Sequence, residues 1–206
     1  MDVTAQVTDG ATIEIITNKS PEALSIMRHS CAHIMAEAVQ ELFPGAQIAF
    51  GPATDNGYFY DFELPKNISS DDFAAIEKKM AQIVKKNEPF VREVVSVEEA
   101  KEIFADQRFK LEHIDDLTEG EISVYRHGSF VDLCAGPHIP SAGKIGAFKM
   151  MKLAGAYWRG DASREQLQRL YGTAFFKKAD LDEYLHNLEE AEKRDHRRIG
   201  REMDIF

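Results

Sequence analysis

The sequence predicts an α+β protein in which a mainly antiparallel sheet packs against helices. One observation is the alternation of apolar and polar residues from Tyr58 to Leu64, which is typical of a half-buried strand. Another is a long segment after Ser20 whose apolar residues recur every three or four positions, as in a helix. Helical and strand-like segments do not alternate regularly along the chain, which disfavours a doubly wound parallel sheet.

The first elements are predicted to be a short strand at residues 11–17 and a long helix. Ser20 is a candidate N-cap with Pro21 at the first helical position, and the helix should run to about Phe43. His29 and His33 are one helical turn apart and lie nearly opposite the apolar stripe, so they should face a surface or a cleft. The apolar stripe comprises Leu24, Met27, Cys31, Ile34, Met35, Ala38 and Leu42.

The central region is predicted to begin with two strands in residues 46–64, joined by a turn at Asp55-Asn56-Gly57. Residues 69–72 should cap a helix that ends near Lys86, and Ser96 with Glu99 forms a capping box for a short helix. Residues 106–120 are polar and are predicted to be a loop. Further strands are expected at 90–95, 121–126, 129–133, 146–157 and 169–176, and a charged helix from about Ala179 to Met203.

Net charge, apolar run length and cysteine content disfavour several classes of function. The net charge of −10 argues against nonspecific nucleic-acid binding, although residues 141–206 carry 13 basic against 11 acidic side chains and are the better candidate for a polyanion contact. No apolar run is long enough to span a bilayer, and the chain starts without a secretory signal. Two cysteines fit a reducing, cytoplasmic setting, with a Cys31–Cys134 disulfide formally possible.

Two short motifs carry the chemistry. His29 and His33 form an HxxxH pair, and Cys134 and His138 form a CxxxH pair about a hundred residues later. Such residues bind zinc or act on a substrate near neutral pH, so three sites are possible: a four-ligand structural zinc, a three-ligand catalytic zinc, or a metal-free hydrolytic site. A metalloprotease is disfavoured because Ser30 stands where HExxH has glutamate.

Around these motifs the chain resembles the editing domains of bacterial threonyl-tRNA synthetases. The HxxxH and CxxxH pairs are shared with the editing domains of alanyl-tRNA synthetases, but the flanking segments resemble the threonyl family. The resemblance covers roughly residues 15–206. It rests on the segments Arg28–His33, Gly51–Asp61, Val131–His138, Lys152–Asp161, Gln168–Ala174 and Lys193–Gly200.

The resemblance implies three parts. Residues 1–18 would be the remnant of an N-terminal ubiquitin-like domain, residues 19–177 the editing domain, and residues 178–206 a linker helix towards a catalytic core. That class II core, with its ATP, Mg and Zn, and the anticodon-binding domain would lie outside this chain. The parent enzyme would be a cytoplasmic homodimer that ligates threonine to tRNA(Thr).

The function implied is hydrolysis of mischarged seryl-tRNA(Thr) without a cofactor. By the resemblance, the catalytic residues would be His29, Lys110, Asp132, Cys134 and His138, with His33 and Tyr60 binding substrate. A catalytic zinc is not favoured; if present, His29, His33, Cys134 and His138 would hold it. Alternatives are a freestanding trans-editing deacylase and a noncatalytic zinc-stabilised RNA-binding module. Basic residues that could contact tRNA are Lys144, Lys149, Lys152, Arg159 and Arg169, with the cluster from Lys193 to Arg201.

Overall fold

The computed structural model describes residues 7–117 and 122–194, and it confirms the α+β class. These residues contain five α-helices: α1 (Ala23–Leu42), α2 (Phe73–Lys86), α3 (Val97–Ile103), α4 (Arg108–Asp116) and α5 (Lys178–Lys193). The strands are β1 (Gln47–Ile48), β2 (Ala53–Thr54), β3 (Gly57–Glu63), β4 (Phe90–Val95), β5 (Ile122–His127), β6 (Phe130–Leu133), β7 (Ala147–Tyr157) and β8 (Gln166–Phe175).

The strands form two antiparallel sheets. One has the order β1-β3-β8-β7, with β2 also paired to β3, and the other has the order β4-β5-β6. The predicted alternation in β3 is confirmed, since Tyr58, Tyr60 and Phe62 are almost completely buried. Strand β6 delivers the CxxxH segment from the small sheet, while α1 packs on β3 and β8 of the large one. The two motifs therefore come from different layers of the fold.

Helix α1 is buried on nearly all sides between Met27 and Val39, more than the predicted single apolar stripe implies. The predicted N-cap is displaced: Ser20 Oγ accepts a hydrogen bond from the N–H of Thr17, and the helix starts at Ala23. The end at Leu42 agrees with the prediction, and Gly45 follows with a left-handed φ of 90°. A helix buried all round must satisfy its polar side chains internally.

Arg28 is a polar side chain of α1 whose hydrogen bonds are made within the protein, and these bonds fix the position of the helix. Its Nε donates to the carbonyl of Ala174 at 3.1 Å, and its Nη1 donates to the carbonyl of Asp55 at 2.6 Å. The guanidinium also lies 4.9 Å from the ring centroid of Phe175. Because Arg28 directly precedes His29, these bonds set the first histidine relative to the β2–β3 turn and β8.

The predicted strand at residues 11–17 is wrong, because these residues have no regular secondary structure. Ile13 and Ile15 are 61% and 80% exposed, so the alternating isoleucines bury no face against the protein. A strand requires a partner for its backbone groups, and β-propensity alone does not supply one.

The predicted loop at residues 106–120 is also wrong, because α4 lies there. Its N-cap, Gln107, makes no side-chain cap bond, so the usual start signal is missing. The helix is held from outside instead: Gln47 Oε1 accepts from the N–H of Arg108 at 3.0 Å. It buries Phe109, Lys110 and Ile114, and a buried lysine disguises the apolar pattern.

Other predicted elements are confirmed. Capping boxes form at Ser69 with Asp72 and at Ser96 with Glu99, and strands β4 to β8 lie close to their predicted ranges. The predicted terminal helix begins at Lys178, while its part from residue 195 onwards lies outside the described residues. None of the helices in 7–117 and 122–194 is long and apolar enough to cross a membrane.

Candidate active site between the two motif segments

A cleft of about 540 Å³ lies where the HxxxH helix meets the CxxxH segment. Strand β6 ends at Leu133, so Cys134 emerges at the sheet edge and the segment turns back at Gly136, whose φ is 74°. The cleft is lined by residues from α1, the β1–β2 connection, β3, α4 and its C-terminal end, β5, β6 and the CxxxH segment, namely His29, His33, Phe50, Gly51, Pro52, Tyr60, His113, Leu117, Ile122, Ser123, Asp132, Leu133, Cys134, Ala135 and Gly136.

Cys134 lies at the centre of the converging motifs. Its Sγ is 3.3 Å from Nε2 of His29 and 3.4 Å from Nε2 of His138. The backbone N–H of Gly136 donates to the same sulfur at 3.2 Å. One thiol thus contacts an imidazole from each motif, so the two distant segments assemble a single cluster.

Buried side chains hold the ring of His138 in place. Phe90 stacks on it with a centroid distance of 4.9 Å and an interplanar angle of 4°, and Tyr125 meets it edge-on at 4.4 Å. Nδ1 of His138 lies 3.0 Å from Oγ of Ser30. The ring therefore has a defined orientation, with Nε2 directed at Cys134.

A second group of polar residues lies beside this cluster. Lys110 Nζ pairs with Oδ1 of Asp132 at 2.5 Å and donates to the hydroxyl of Tyr60 at 3.1 Å. The Tyr60 hydroxyl donates in turn to Oδ2 of Asp132 at 2.6 Å, and Nε2 of His33 is 3.4 Å from the same oxygen. Lysine, aspartate and tyrosine thus form a closed buried network that touches the HxxxH motif through His33.

Burial sets the charge of the imidazoles. It lowers the pKa of His29, an effect that the negative charge of Asp132 partly offsets. Burial lowers the pKa of His33 and His138 much further, and the neighbouring histidines add to the shift. Burial also raises the pKa of Tyr60, with the Asp132 carboxylate acting in the same direction. At neutral pH the cleft therefore presents neutral imidazoles and a neutral phenol.

The predicted catalytic and substrate residues all meet at this cleft, but not all line it. His29, His33, Tyr60, Asp132 and Cys134 are on its wall, whereas Lys110 and His138 lie behind them. Lys110 is fully buried, so its charge reaches the cleft through Asp132 and Tyr60. Neither cysteine is part of a disulfide, and burial raises the pKa of the Cys31 thiol to about 12.

Three of the predicted tRNA contacts are engaged within the protein. Arg169 makes two hydrogen bonds of 2.7 Å with Asp61, and Lys149 pairs with Glu77. Arg159 pairs with Glu112 and Asp116. Of the other two individually named residues, Lys144 is exposed and Lys152 Nζ lies 4.9 Å from the Tyr171 ring centroid. The predicted cluster from Lys193 to Arg201 lies outside the described residues from residue 195 onwards. These residues do not converge on the cleft wall.

Several residues that hold the site were not predicted from the sequence. Ser30 and Phe90 orient His138, and Phe50 lies under Lys110 with Nζ 4.4 Å from its ring centroid. Glu37, one turn beyond His33, pairs at 2.7 Å with His127 in the interior. The HxxxHxxxE spacing could have drawn attention to Glu37, but nothing in the sequence connects it with His127.

Comparison with known proteins agrees with this geometry. Residues 122–171 match the profile of the family described as threonyl and alanyl tRNA synthetase second additional domain. A threonine–tRNA ligase of Rhizobium rhizogenes is 54% identical over 209 residues, which cover 100% of this chain and 31% of that protein. The chain matches the editing-domain segment of threonyl-tRNA synthetases.

Other threonyl-tRNA synthetases show the same relation. The threonine–tRNA ligase of Polynucleobacter asymbioticus is 55% identical over 197 residues, covering 94% of this chain and 31% of the relative. That of Burkholderia multivorans is 51% identical over 209 residues, covering 100% and 33%. The chain spans about a third of the length of the curated relatives it matches, and it corresponds to the editing-domain region of these synthetases.

The four motif residues of this threonyl-tRNA synthetase segment fit a metal ion. One donor atom from each of His29, His33, Cys134 and His138 lies within 4.8 Å of the others. A tetrahedral zinc with ordinary Zn–N and Zn–S bonds places neighbouring donors about 3.5 Å apart. The Sγ–Nε2 distances of 3.3 and 3.4 Å match that spacing. The donor set is therefore chemically suited to zinc.

Gly51 provides a test of how tightly the cleft wall is packed. A Cβ there would lie 2.1 Å from Cδ2 of Tyr60 and 2.6 Å from the carbonyl oxygen of Phe59. Gly51→Ala should therefore lower the free energy of unfolding by about 1–3 kcal/mol, measured by urea denaturation. The control is Gly155→Ala, whose Cβ would have the flexible side chain of Gln166 as its nearest neighbour. Equal stability of the two variants would contradict the expectation.

Proposed function

We propose that this chain is a proofreading hydrolase that cleaves the ester of seryl-tRNA(Thr). The observation that carries the proposal is the convergence of the HxxxH and CxxxH pairs on one cleft of about 540 Å³. Similarity to threonyl-tRNA synthetases suggests the substrate class, an aminoacyl ester on tRNA. Neutral imidazoles beside a cleft are suited to accept a proton from an attacking water.

The need for a second site follows from the size difference between the amino acids. Serine lacks one methyl group of threonine, and a pocket gains only about 1–3 kcal/mol of discrimination from one methyl. A site that admits serine and excludes threonine by contact solves this problem. We assign the excluding wall to Gly51, Pro52 and Tyr60, because their packing leaves little room to move.

We assign His29 the proton-accepting role, because it lines the cleft and is only partly buried. It would deprotonate or polarise water, or bind the ribose hydroxyl. Asp132 would read the serine ammonium: its Oδ2 already accepts from Tyr60 and its Oδ1 is ion-paired with Lys110, but a carboxylate offers about four lone-pair sites. Lys110 would then position Asp132 and Tyr60 and lend positive charge to this side of the cleft.

The decisive experiment is single-turnover deacylation by the purified chain. Seryl-tRNA(Thr) should be hydrolysed and threonyl-tRNA(Thr) spared. His29→Ala should slow the reaction by roughly 100-fold, in line with the loss of one acid–base group. The control is His186→Ala, at an exposed position on α5. Equal hydrolysis of both esters, or unchanged rates for both His29→Ala and Lys110→Ala, would overturn the proposal.

We further propose that tRNA(Thr) docks across the more basic last third of the chain. Lys144 is exposed and suited to a phosphate contact, with Lys152 beside Tyr171 as a second candidate, whereas Arg169 is committed to Asp61. In a parent enzyme, ligation of threonine with ATP and Mg, and dimerisation, would belong to other parts of the protein.

The second candidate function is zinc binding, which the four convergent His and Cys donor atoms favour. A zinc held by three of these donors would have a fourth position for water, whose pKa it would lower to about 7. We nevertheless propose that hydrolysis proceeds without a metal, because neutral His29 already provides a proton acceptor at the cleft.

Chelation tests the metal-free proposal. After EDTA treatment and elemental analysis showing no zinc, the rate of seryl-tRNA(Thr) hydrolysis should remain within about twofold of the untreated value, and the far-UV spectrum should be unchanged. Loss of activity that added zinc restores would instead support a catalytic zinc. Unfolding on chelation would support a zinc-stabilised module.

A further inference from the structure

Ser30 directly follows the first motif histidine on α1, and it is fully buried. Its hydroxyl oxygen has three partners. It lies 3.0 Å from the carbonyl oxygen of Ile26, 3.1 Å from the backbone nitrogen of Ile139 and 3.0 Å from Nδ1 of His138. Two of these partners belong to the CxxxH segment and the residue after it, so one serine joins both motifs.

The hydrogen-bonding capacity of a hydroxyl decides the direction of each contact. A serine hydroxyl offers one donor and two acceptor lone pairs. The Ile26 carbonyl can only accept, so it takes the serine proton. The Ile139 N–H can only donate, so it takes one lone pair. The remaining lone pair faces Nδ1 of His138, which must then carry a proton.

We propose that Ser30 is a positioning residue that holds His138 as its Nδ1–H tautomer and thereby directs the lone pair of Nε2 at Cys134. The nitrogen of a histidine that carries the proton is set by the hydrogen bond made at the other nitrogen. The role in hydrolysis rests on the proposed function, whereas the tautomer is a property of the folded chain. Ser30 itself does not line the cleft.

The consequence lies at the sulfur. Nε2 of His138 is 3.4 Å from Sγ of Cys134 and, carrying a lone pair in place of a proton, accepts the thiol proton in a hydrogen bond. The opposite tautomer would point an N–H at the sulfur and force the thiol proton towards His29, whose Nε2 is 3.3 Å away. Ser30 therefore keeps the lone pair of His29 available for water in the cleft.

The packing of His138 separates this effect from a general structural one. Phe90 stacks on the ring at 4.9 Å and Tyr125 meets its edge at 4.4 Å. These contacts fix the ring plane without the serine. Removing the hydroxyl should therefore leave the imidazole where it is and change the nitrogen that carries its proton.

The test is long-range ¹⁵N–¹H NMR of the histidine rings in the chelated full chain at pH 7.5. His138 should show the Nδ1–H tautomer, and Ser30→Ala should give a mixture or the Nε2–H form. Cys31→Ala is the matched control. It also deletes one buried side-chain atom, at the next position, but Cys31 Sγ contacts the hydroxyl of Tyr58 and not His138. It should leave the His138 signals unchanged. An Nε2–H tautomer in the unaltered chain, or no tautomeric change in Ser30→Ala, would overturn the inference.

Kinetics supply the second readout. Ser30→Ala should lower kcat for seryl-tRNA(Thr) on the order of tenfold with little change in KM, as expected when a supporting hydrogen bond is lost. An unchanged kcat would refute the catalytic part. If the unaltered chain does not hydrolyse the ester at all, the proposed function fails, while the NMR measurement still decides the tautomer.

Discussion

Lys110→Met is expected to lower the free energy of unfolding by about 3–5 kcal/mol and to slow deacylation by at least roughly 100-fold. Lys110 is fully buried, and its Nζ is 2.5 Å from Oδ1 of Asp132, whose side chain is 3% exposed. Removing the lysine leaves a carboxylate in the interior without its counter-charge. Tyr60 and His33 then face an unpaired anion, so the cleft wall loses its geometry together with its stability.

The same substitution at an exposed ion pair is the control. Lys101 pairs with Asp115 at 2.6 Å, but their side chains are 47% and 62% exposed. Lys101→Met should therefore cost no more than about 1 kcal/mol. Urea denaturation of both variants measures the difference. In Lys110→Met, adding Asp132→Asn should recover part of the lost stability, because the buried charge is removed. A loss below about 1 kcal/mol for Lys110→Met would show that the pair is dispensable.

The behaviour of Lys110 also shows where sequence reasoning fails. The resemblance to the editing domains pointed to the residue, but its segment was predicted to be a loop. Helix α4 has no side-chain cap, and its buried face includes a charged residue. Periodicity methods count lysine as polar, so a buried lysine conceals the very face that packs. The charge is tolerated only because Asp132 comes from a strand distant in sequence.

Predictions that depended only on residues close together in the chain were reliable. The helix start at residues 69–72, the capping box at Ser96 and the alternation in β3 depend on residues close in the chain, and each is confirmed. The strand predicted at residues 11–17 depended on a distant partner, and the described structure shows its isoleucines exposed. Propensity identifies segments that can form strands, whereas pairing decides which of them do.

The site shows the same division. The i, i+4 spacing correctly predicted that His29 and His33 share one side of a helix, and that side meets the cleft. It also suggested an accessible pair, yet His33 is almost fully buried. Burial depends on which elements cover the helix, and His33 is covered by β6 and the CxxxH segment. The sequence therefore predicted which side chains converge at the cleft, but not how far each one is exposed to solvent.

Because these histidines are buried, we expect the folded protein to lose stability in acid. In the fold the pKa of His29, His33 and His138 is lowered, chiefly by burial, while in the unfolded chain it is near 6.5. Below pH 6.5 the unfolded state binds more protons than the folded state, so the free energy of unfolding decreases as the pH is lowered. The loss approaches about 1.4 kcal/mol per pH unit for each neutral histidine. Between pH 6.5 and 5.5 the unfolded histidines go from half to mostly protonated, so we expect a decrease of up to about 3 kcal/mol.

Replacing one buried histidine isolates its share of this decrease. His33→Asn should reduce the slope of unfolding free energy against pH by up to one proton between pH 6.5 and 5, measured by urea denaturation of chelated protein. His186→Asn, at an exposed position on α5, should leave the slope unchanged. An identical slope for His33→Asn and the unaltered chain would mean that His33 is protonated in the fold. The Asp132 carboxylate 3.4 Å away would then stabilise an imidazolium at the floor of the cleft, and the metal-free mechanism would have to begin from a charged pair.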